Sequence, residues 1–242
     1  MHRIFWYELK RLMFNRLFLA LLIITGLYSY MTLSREIILG VAFTAPFSPW
    51  SFSAYLAKIL PLLILTLLFF ITFIYSNHEK QVRQLTFATP VDPFKFNFVK
   101  YASIAAGFFV ITLFVILMGM VFLAVLFRFY HFGDFIIPIA ITIIPCFLFV
   151  IGAGLLLGGI QYNFLYVLMI AFLLPGFLPL PPFFDLYGGN FFTSHPLTLP
   201  TGLYGEPAFT LPASFILGRV CYSAAGVLMV LLVRKSAQKC PL

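Results

Sequence analysis

The feature that most constrains this chain is a succession of apolar runs, each near the length needed to cross a bilayer. An α-helix rises 1.5 Å per residue, so roughly 20 apolar residues cover the hydrocarbon core. The sequence offers six such runs, at about 17–33, 55–76, 101–127, 135–160, 164–180 and 213–233. Of its 242 residues 62% are hydrophobic and 9% charged, against about a quarter charged in soluble domains. So few charges do not cover the surface of a water-soluble fold of this length. The expectation is an all-α membrane protein of six transmembrane helices forming one domain over 1–242. The net charge of +8 does not point to nucleic acid, because the basic residues sit in short clusters beside apolar runs, as membrane orientation demands.

Residues Met1 to Arg16 read as an amphipathic helix lying in the membrane interface. Phe5, Trp6, Leu9, Leu12 and Met13 fall on one face, and Arg3, Glu8, Lys10, Arg11 and Asn15 on the other. No small-x-small cleavage site follows the first apolar run, so it reads as an uncleaved span. Lys58 near the start of the second span has a stem long enough to snorkel, and Pro61 lies in that span's first turns. In the fourth run Gly154 and Gly158 form a GxxxG pair, a helix-packing pattern. Residues Pro181 to Pro212 hold many prolines, glycines and aromatics and are expected to fold back on the outer rim of the bundle.

Orientation follows from the basic residues. With the N-terminus inside, the inner segments hold Arg3, Lys10, Arg11, Arg16, Lys80, Arg83, Lys95, Lys100, Arg234, Lys235 and Lys239. The outer side holds Arg35, Lys58, Arg128 and Arg219, eleven against four. That bias places both termini and the polar stretch 77–100 in the cytoplasm.

Catalytic and ion-coupling patterns are missing from the sequence. The four histidines lie on separate segments without HExxH spacing, and the three cysteines form no CxxC. There is no GxSxG elbow. Glu36, Asp134, Asp185 and Glu206 all read as outer-loop residues, which leaves no carboxylate in a span for proton or sodium coupling. Arg219 is the one charge well inside a span. It reads either as a contact for an anionic substrate or outer-leaflet lipid head group, or as a side chain that snorkels outward or pairs with Glu206 or Asp185.

The stretch Asn77 to Lys100, NHEKQVRQLTFATPVDPFKFNFVK, reads as helix, break, helix. The first helix stops at Thr89-Pro90, because the residue before proline avoids the helical region. Asp92 caps a restart whose first turn takes Pro93. An acid soon after the second span, a base, a Thr-Pro turn and a lysine at the third span resemble the membrane subunits of type-2 ABC exporters. Here these residues are Glu79, Arg83, Thr89, Pro90 and Lys100. The chain plan is similar too: an interfacial N-terminal helix, six spans, a tight turn between spans four and five, and a broken outer segment before the last.

The resemblance implies that 77–100 is a coupling helix docking on a separate ABC ATP-binding subunit. It implies a permease working as a homodimer or heterodimer, with ATP and magnesium in the partner ATPase and no cofactor in this chain. A bacterial inner membrane fits that family. The resemblance would make this chain not itself an enzyme. Residue by residue, ordinary roles remain open: Glu79 and Arg83 as an i,i+4 pair, Thr89-Pro90 as a plain helix stop, Lys100 as a headgroup anchor. The 32 phenylalanines and 12 tyrosines suit an apolar or amphipathic cargo such as a lipid, peptide or drug, and equally suit contact with lipid and with one another. The alternatives are a membrane scaffold or assembly factor without transport, and a membrane-embedded enzyme.

Overall fold

The computed structural model describes the backbone of residues 2–75, 93–200 and 207–239, with side chains over 3–75, 96–200 and 207–233. The described residues form α-helices and short helical turns, with no strand among them. The helices are α1 (His2–Met13), α2 (Arg16–Thr32), α3 (Pro49–Tyr75), α4 (Pro93–Phe127), α5 (Ile136–Ile160), α6 (Phe164–Leu173), α7 (Gly189–Ser194) and α8 (Ala213–Lys239). Five stretches are long and apolar enough to cross a membrane: Arg16–Ile37, Pro49–Tyr75, Phe96–Phe127, Phe132–Ile160 and Ala213–Val233. The chain is a multi-pass membrane protein by this measure. Large apolar side chains such as Leu113, Leu117 and Val121 on α4, or Leu217, Val220 and Leu228 on α8, face outward, as lipid-facing surfaces require.

Local chemistry sets the boundaries. Asn15 caps α2 by accepting the Leu17 N–H at 3.1 Å. Helix α3 begins six residues before the position expected from hydropathy, Pro49 rather than Tyr55. Ser48 accepts the Ser51 N–H at 3.1 Å, and Pro49 occupies the first turn, where its missing N–H has no intrahelical acceptor to lose. The break expected at Thr89-Pro90 lies outside the described residues; from Pro93 the described helix is continuous with the third span, and α4 runs 35 residues without a break through Lys100.

The contacts between helices give their directions. Ser29 Oγ meets Tyr55 Oη at 2.5 Å and Phe18 stacks on Phe70, so α2 is antiparallel to α3. Tyr55 Oη donates to the Val115 carbonyl at 2.8 Å, and a Cβ at Gly107 would lie 3.8 Å from the Phe70 ring, so α4 is antiparallel to α3 as well. Phe52 stacks on Phe135 at 4.2 Å and Tyr75 Oη donates to the Leu155 carbonyl at 2.9 Å, so α5 runs with α3. Gly154 and Gly158 face that helix, where added Cβ atoms would lie 2.7 Å from Ile71 and 2.6 Å from Tyr75. The tightest backbone approach is elsewhere. Gly152 and Gly226 bring α5 and α8 together so closely that a Cβ on either would meet a backbone carbonyl of the other helix.

Arg219 meets Cys146, Tyr222 packs on Phe149 and Gly226 faces Gly152, so α5 and α8 run in the same direction and the chain between them must return along the bundle. It does so in two parts. Helix α6 spans only ten residues, ending in a 3-10 turn over Leu174–Gly176, so the fifth run is shorter as a helix than its 17-residue apolar length suggested. Pro175, Pro179, Pro181 and Pro182 remove the backbone donors that continuation would need. The remaining climb is made by broken chain. Contrary to expectation, its first part does not lie on the rim. Asp185, Leu186, Tyr187 and Gly188 are buried between α3, α5 and α8.

Candidate functional site: two polar centres in an apolar bundle

We define the N-terminal end of the bundle as the one holding α1, Tyr75 and Pro93, and the far end as the other. Between them, the broken segment carries irregular backbone into the interior. Such backbone survives at membrane depth only where protein groups satisfy its N–H and C=O groups. Here Asp185 does most of this. Its Oδ1 accepts from the Gly188 N–H at 2.8 Å, and its Oδ2 from the Asn190 and Phe191 N–H groups at 3.0 and 3.2 Å. The carboxylate thus closes the turn and caps α7. Gly188, at φ 81°, supplies the left-handed residue this turn needs.

The Leu186 carbonyl accepts two donors, the Cys146 thiol at 2.8 Å and Arg219 Nη1. Tyr187 Oη donates to the Phe172 carbonyl, and Tyr222 Oη to that of Phe184 at 3.1 Å. Arg219 lies 4.6 Å from the centre of the Phe215 ring. It is 3% exposed, as is Asp185. Arg219 Nε and Nη2 find no hydrogen-bond partner. Cys146 is ten residues into α5, or about 15 Å from the start of that helix. The sequence reading of Asp185 as an outer-loop carboxylate is therefore corrected: proline-broken chain carries it to the depth of Cys146. Arg219 neither snorkels outward nor reaches the far-end surface. The centre is fully packed, since a Cβ at Gly218 would sit 2.5 Å from the Phe183 carbonyl and one at Gly188 2.7 Å from Arg219 Nη2.

The second polar centre lies at the N-terminal end and encloses space. Leu12 packs on Gly107 and Leu9 is buried, so α1 is laid against α4. Between α1, α3 and α4 is a partly open cavity of about 110 Å³ lined by Glu8, Arg11, Leu12, Asn15, Phe70, Phe73, Ile74, Lys100, Ser103 and Ile104. Glu8 Oε2 lies 3.8 Å from Arg11 Nη1. Lys100 is 6% exposed, with Nζ 4.7 Å from the centre of the Phe96 ring, and the Ser103 hydroxyl donates to its carbonyl at 2.8 Å. The apolar face expected of α1 is divided here. Leu9 and Leu12 turn inward, while Trp6 is 57% exposed.

Of the residues singled out from sequence, Lys100 lines this cavity, Gly154 and Gly158 pack on α3, and Arg219 joins the mid-bundle centre. Glu79, Arg83, Thr89 and Pro90 lie outside the described residues. Sequence reasoning named Asp185 only as an outer-loop carboxylate and possible partner of Arg219, and it missed Cys146, Tyr187 and the Gly152–Gly226 approach. Only the last had a local signal, the small-residue run Ser223 to Gly226. No group of three or more His, Cys, Asp or Glu side chains suited to a metal occurs among the described residues. Comparison with protein-family models, with curated proteins and with solved structures finds no match.

Proposed function

We propose that this chain is the membrane-spanning permease subunit of an ATP-driven exporter of the type-2 ABC kind. It would couple to a separate ATP-binding subunit through 77–100. In this reading α6 and the broken segment after it make a sixth crossing, and the positive-inside bias puts both termini in the cytoplasm. The permease pairs with a second copy or a relative. Its cargo is apolar or amphipathic.

One observation carries the reading. Helices α3 and α4 both open onto 77–100 at the N-terminal end, and they are joined to each other along their length. Tyr55 Oη ties α3 to the Val115 carbonyl, and Gly119 lets α4 approach the Tyr55 and Phe52 rings. A displacement of the connection therefore moves two packed spans together, as a differential contact between two conformations requires. Lys100, buried, anchors the connection to the bundle, leaving Glu79, Arg83, Thr89 and Pro90 to meet the ATPase.

The test is co-expression with a neighbouring gene product carrying GxxxxGK[ST]. Co-purification is expected, with ATPase turnover that drops at least severalfold in Glu79→Lys and in a Thr89→Ala, Pro90→Ala double variant. Unchanged binding and turnover in both would sink the reading.

A further inference from the structure

The turn between the first two spans lies at the far end, away from the connection 77–100. Arg16–Ile37 and Pro49–Tyr75 are each long and apolar enough to cross a bilayer, so residues 38–48 turn at its far surface. Charge marks the level of that surface. Arg16 and Arg35 bracket residues 17–34, none of them charged. They stand about 28 Å apart along the helix, close to the roughly 30 Å of a hydrocarbon core. Glu36, next to Arg35, pairs with Lys58. Leu39 and Phe43 follow directly, and they are 86% and 95% exposed.

Hydroxyl groups pin this turn to the bundle. The Val41 N–H donates to Ser51 Oγ at 3.1 Å, and the Thr44 hydroxyl donates to the Val41 carbonyl at 2.6 Å. Buried Thr44, Ser48 and Ser51 join their hydroxyls at 3.0 Å, and Phe47 stacks on Phe129 at 5.3 Å. Within this frame Gly40 takes φ 77°, but Ala42 and Phe43 take 52° and 61°, a region that a Cβ disfavours. Glycine would occupy position 43 without strain. Phenylalanine there gives the chain almost no packing in return, so its use lies outside the chain.

We infer that Leu39 and Phe43 are a membrane anchor, an apolar pair that the turn holds in the interfacial layer of the leaflet at the far end. The partner is the lipid bilayer. A turn pinned to the bundle at the boundary keeps these side chains at that level, and aromatic and leucine side chains beside charges partition into the layer where headgroups meet acyl chains. The pair would fix the depth of the corner between α2 and α3. The inference rests on the membrane spans alone and is independent of any ATPase.

Spin labelling of the full chain tests it. Leu39→Cys and Phe43→Cys are made singly in a Cys221→Ser, Cys240→Ser background, which leaves only the buried Cys146. Each is labelled with a nitroxide and reconstituted in phosphatidylcholine vesicles. Collisions with oxygen, which concentrates in lipid, are expected to exceed those with a water-soluble nickel chelate severalfold at both positions. Dominant nickel collisions at either position put that side chain in water and overturn the inference. Few collisions with both reagents, together with dipolar broadening, put the pair against a second copy and overturn it as well. Phe43→Gly separates anchoring from a packing role. It relieves the left-handed strain, so the thermal midpoint in detergent should hold or rise. A midpoint lowered by several degrees would show the ring supporting the fold and would overturn the anchor.

Discussion

Among the described residues, buried charge occurs in two places, and they differ in the space around them. At mid-bundle, Asp185 and Arg219 are enclosed by Gly188, Gly218 and Phe215, and the donors and acceptors are used to hold broken backbone in place. At the N-terminal end, Glu8, Arg11 and Lys100 border a cavity. Charge without space maintains architecture, because an uncompensated polar group in an apolar interior costs several kcal/mol. Charge beside a space leaves room for added volume without displacing packed atoms. Substitutions that add volume or remove charge at each centre therefore separate the two roles.

The largest effect is expected from volume. Gly218→Leu drives a side chain into the Phe183 carbonyl and should destabilise the protein by about 3 kcal/mol or more, read as loss of a monodisperse species in detergent. The matching change at the cavity, Ser103→Leu, should alter stability by less than about 1 kcal/mol, because its methyl groups enter empty volume. Similar losses for both would erase the distinction between the centres.

Next comes Asp185→Ala, which strands three backbone N–H groups. A loss of about 3 kcal/mol is expected, with Asp185→Asn retaining part of it. Unfolding followed by Trp50 fluorescence in a Trp6→Phe background is a suitable readout, since the Trp50 ring packs on Phe191, Phe192 and Phe209.

Arg219→Met should be nearly silent, within about 1 kcal/mol. It removes a buried cation with two unpaired nitrogens, and the Leu186 carbonyl keeps the Cys146 thiol as donor. A large loss on the same Trp50 readout would instead make Arg219 the keystone of the broken segment. Smallest of all, Glu36→Gln breaks an exposed pair with Lys58 and should shift the thermal midpoint by the equivalent of under about 1 kcal/mol.

Much of the fold was legible in the chain. Five of the six apolar runs are long helices at nearly the expected positions, because hydropathy is a sum over neighbours and the bilayer sets a fixed length. The packing role of Gly154 and Gly158 follows from residue chemistry within one or two turns. The fifth run misled, since composition alone does not show where prolines stop a helix. The candidate site was less legible. Lys100 stood out from its place in the chain, but its burial beside Glu8 depends on α1 lying against α4 through Leu12 and Gly107.

By itself, then, the sequence determined an all-helical membrane bundle, the approximate limits of its long spans, and the charge bias that sets an expected orientation. Only the tertiary structure decided that Asp185 descends to the level of Cys146, that Arg219 turns inward to the Leu186 carbonyl, and that α1 closes a charged cavity with α3 and α4. The physical reason is range. Hydropathy and capping act between near neighbours, whereas the partners of Arg219 lie 33 and 73 residues away in the chain. They meet because Gly152 and Gly226 let two parallel helices approach to backbone contact and fix the register between them.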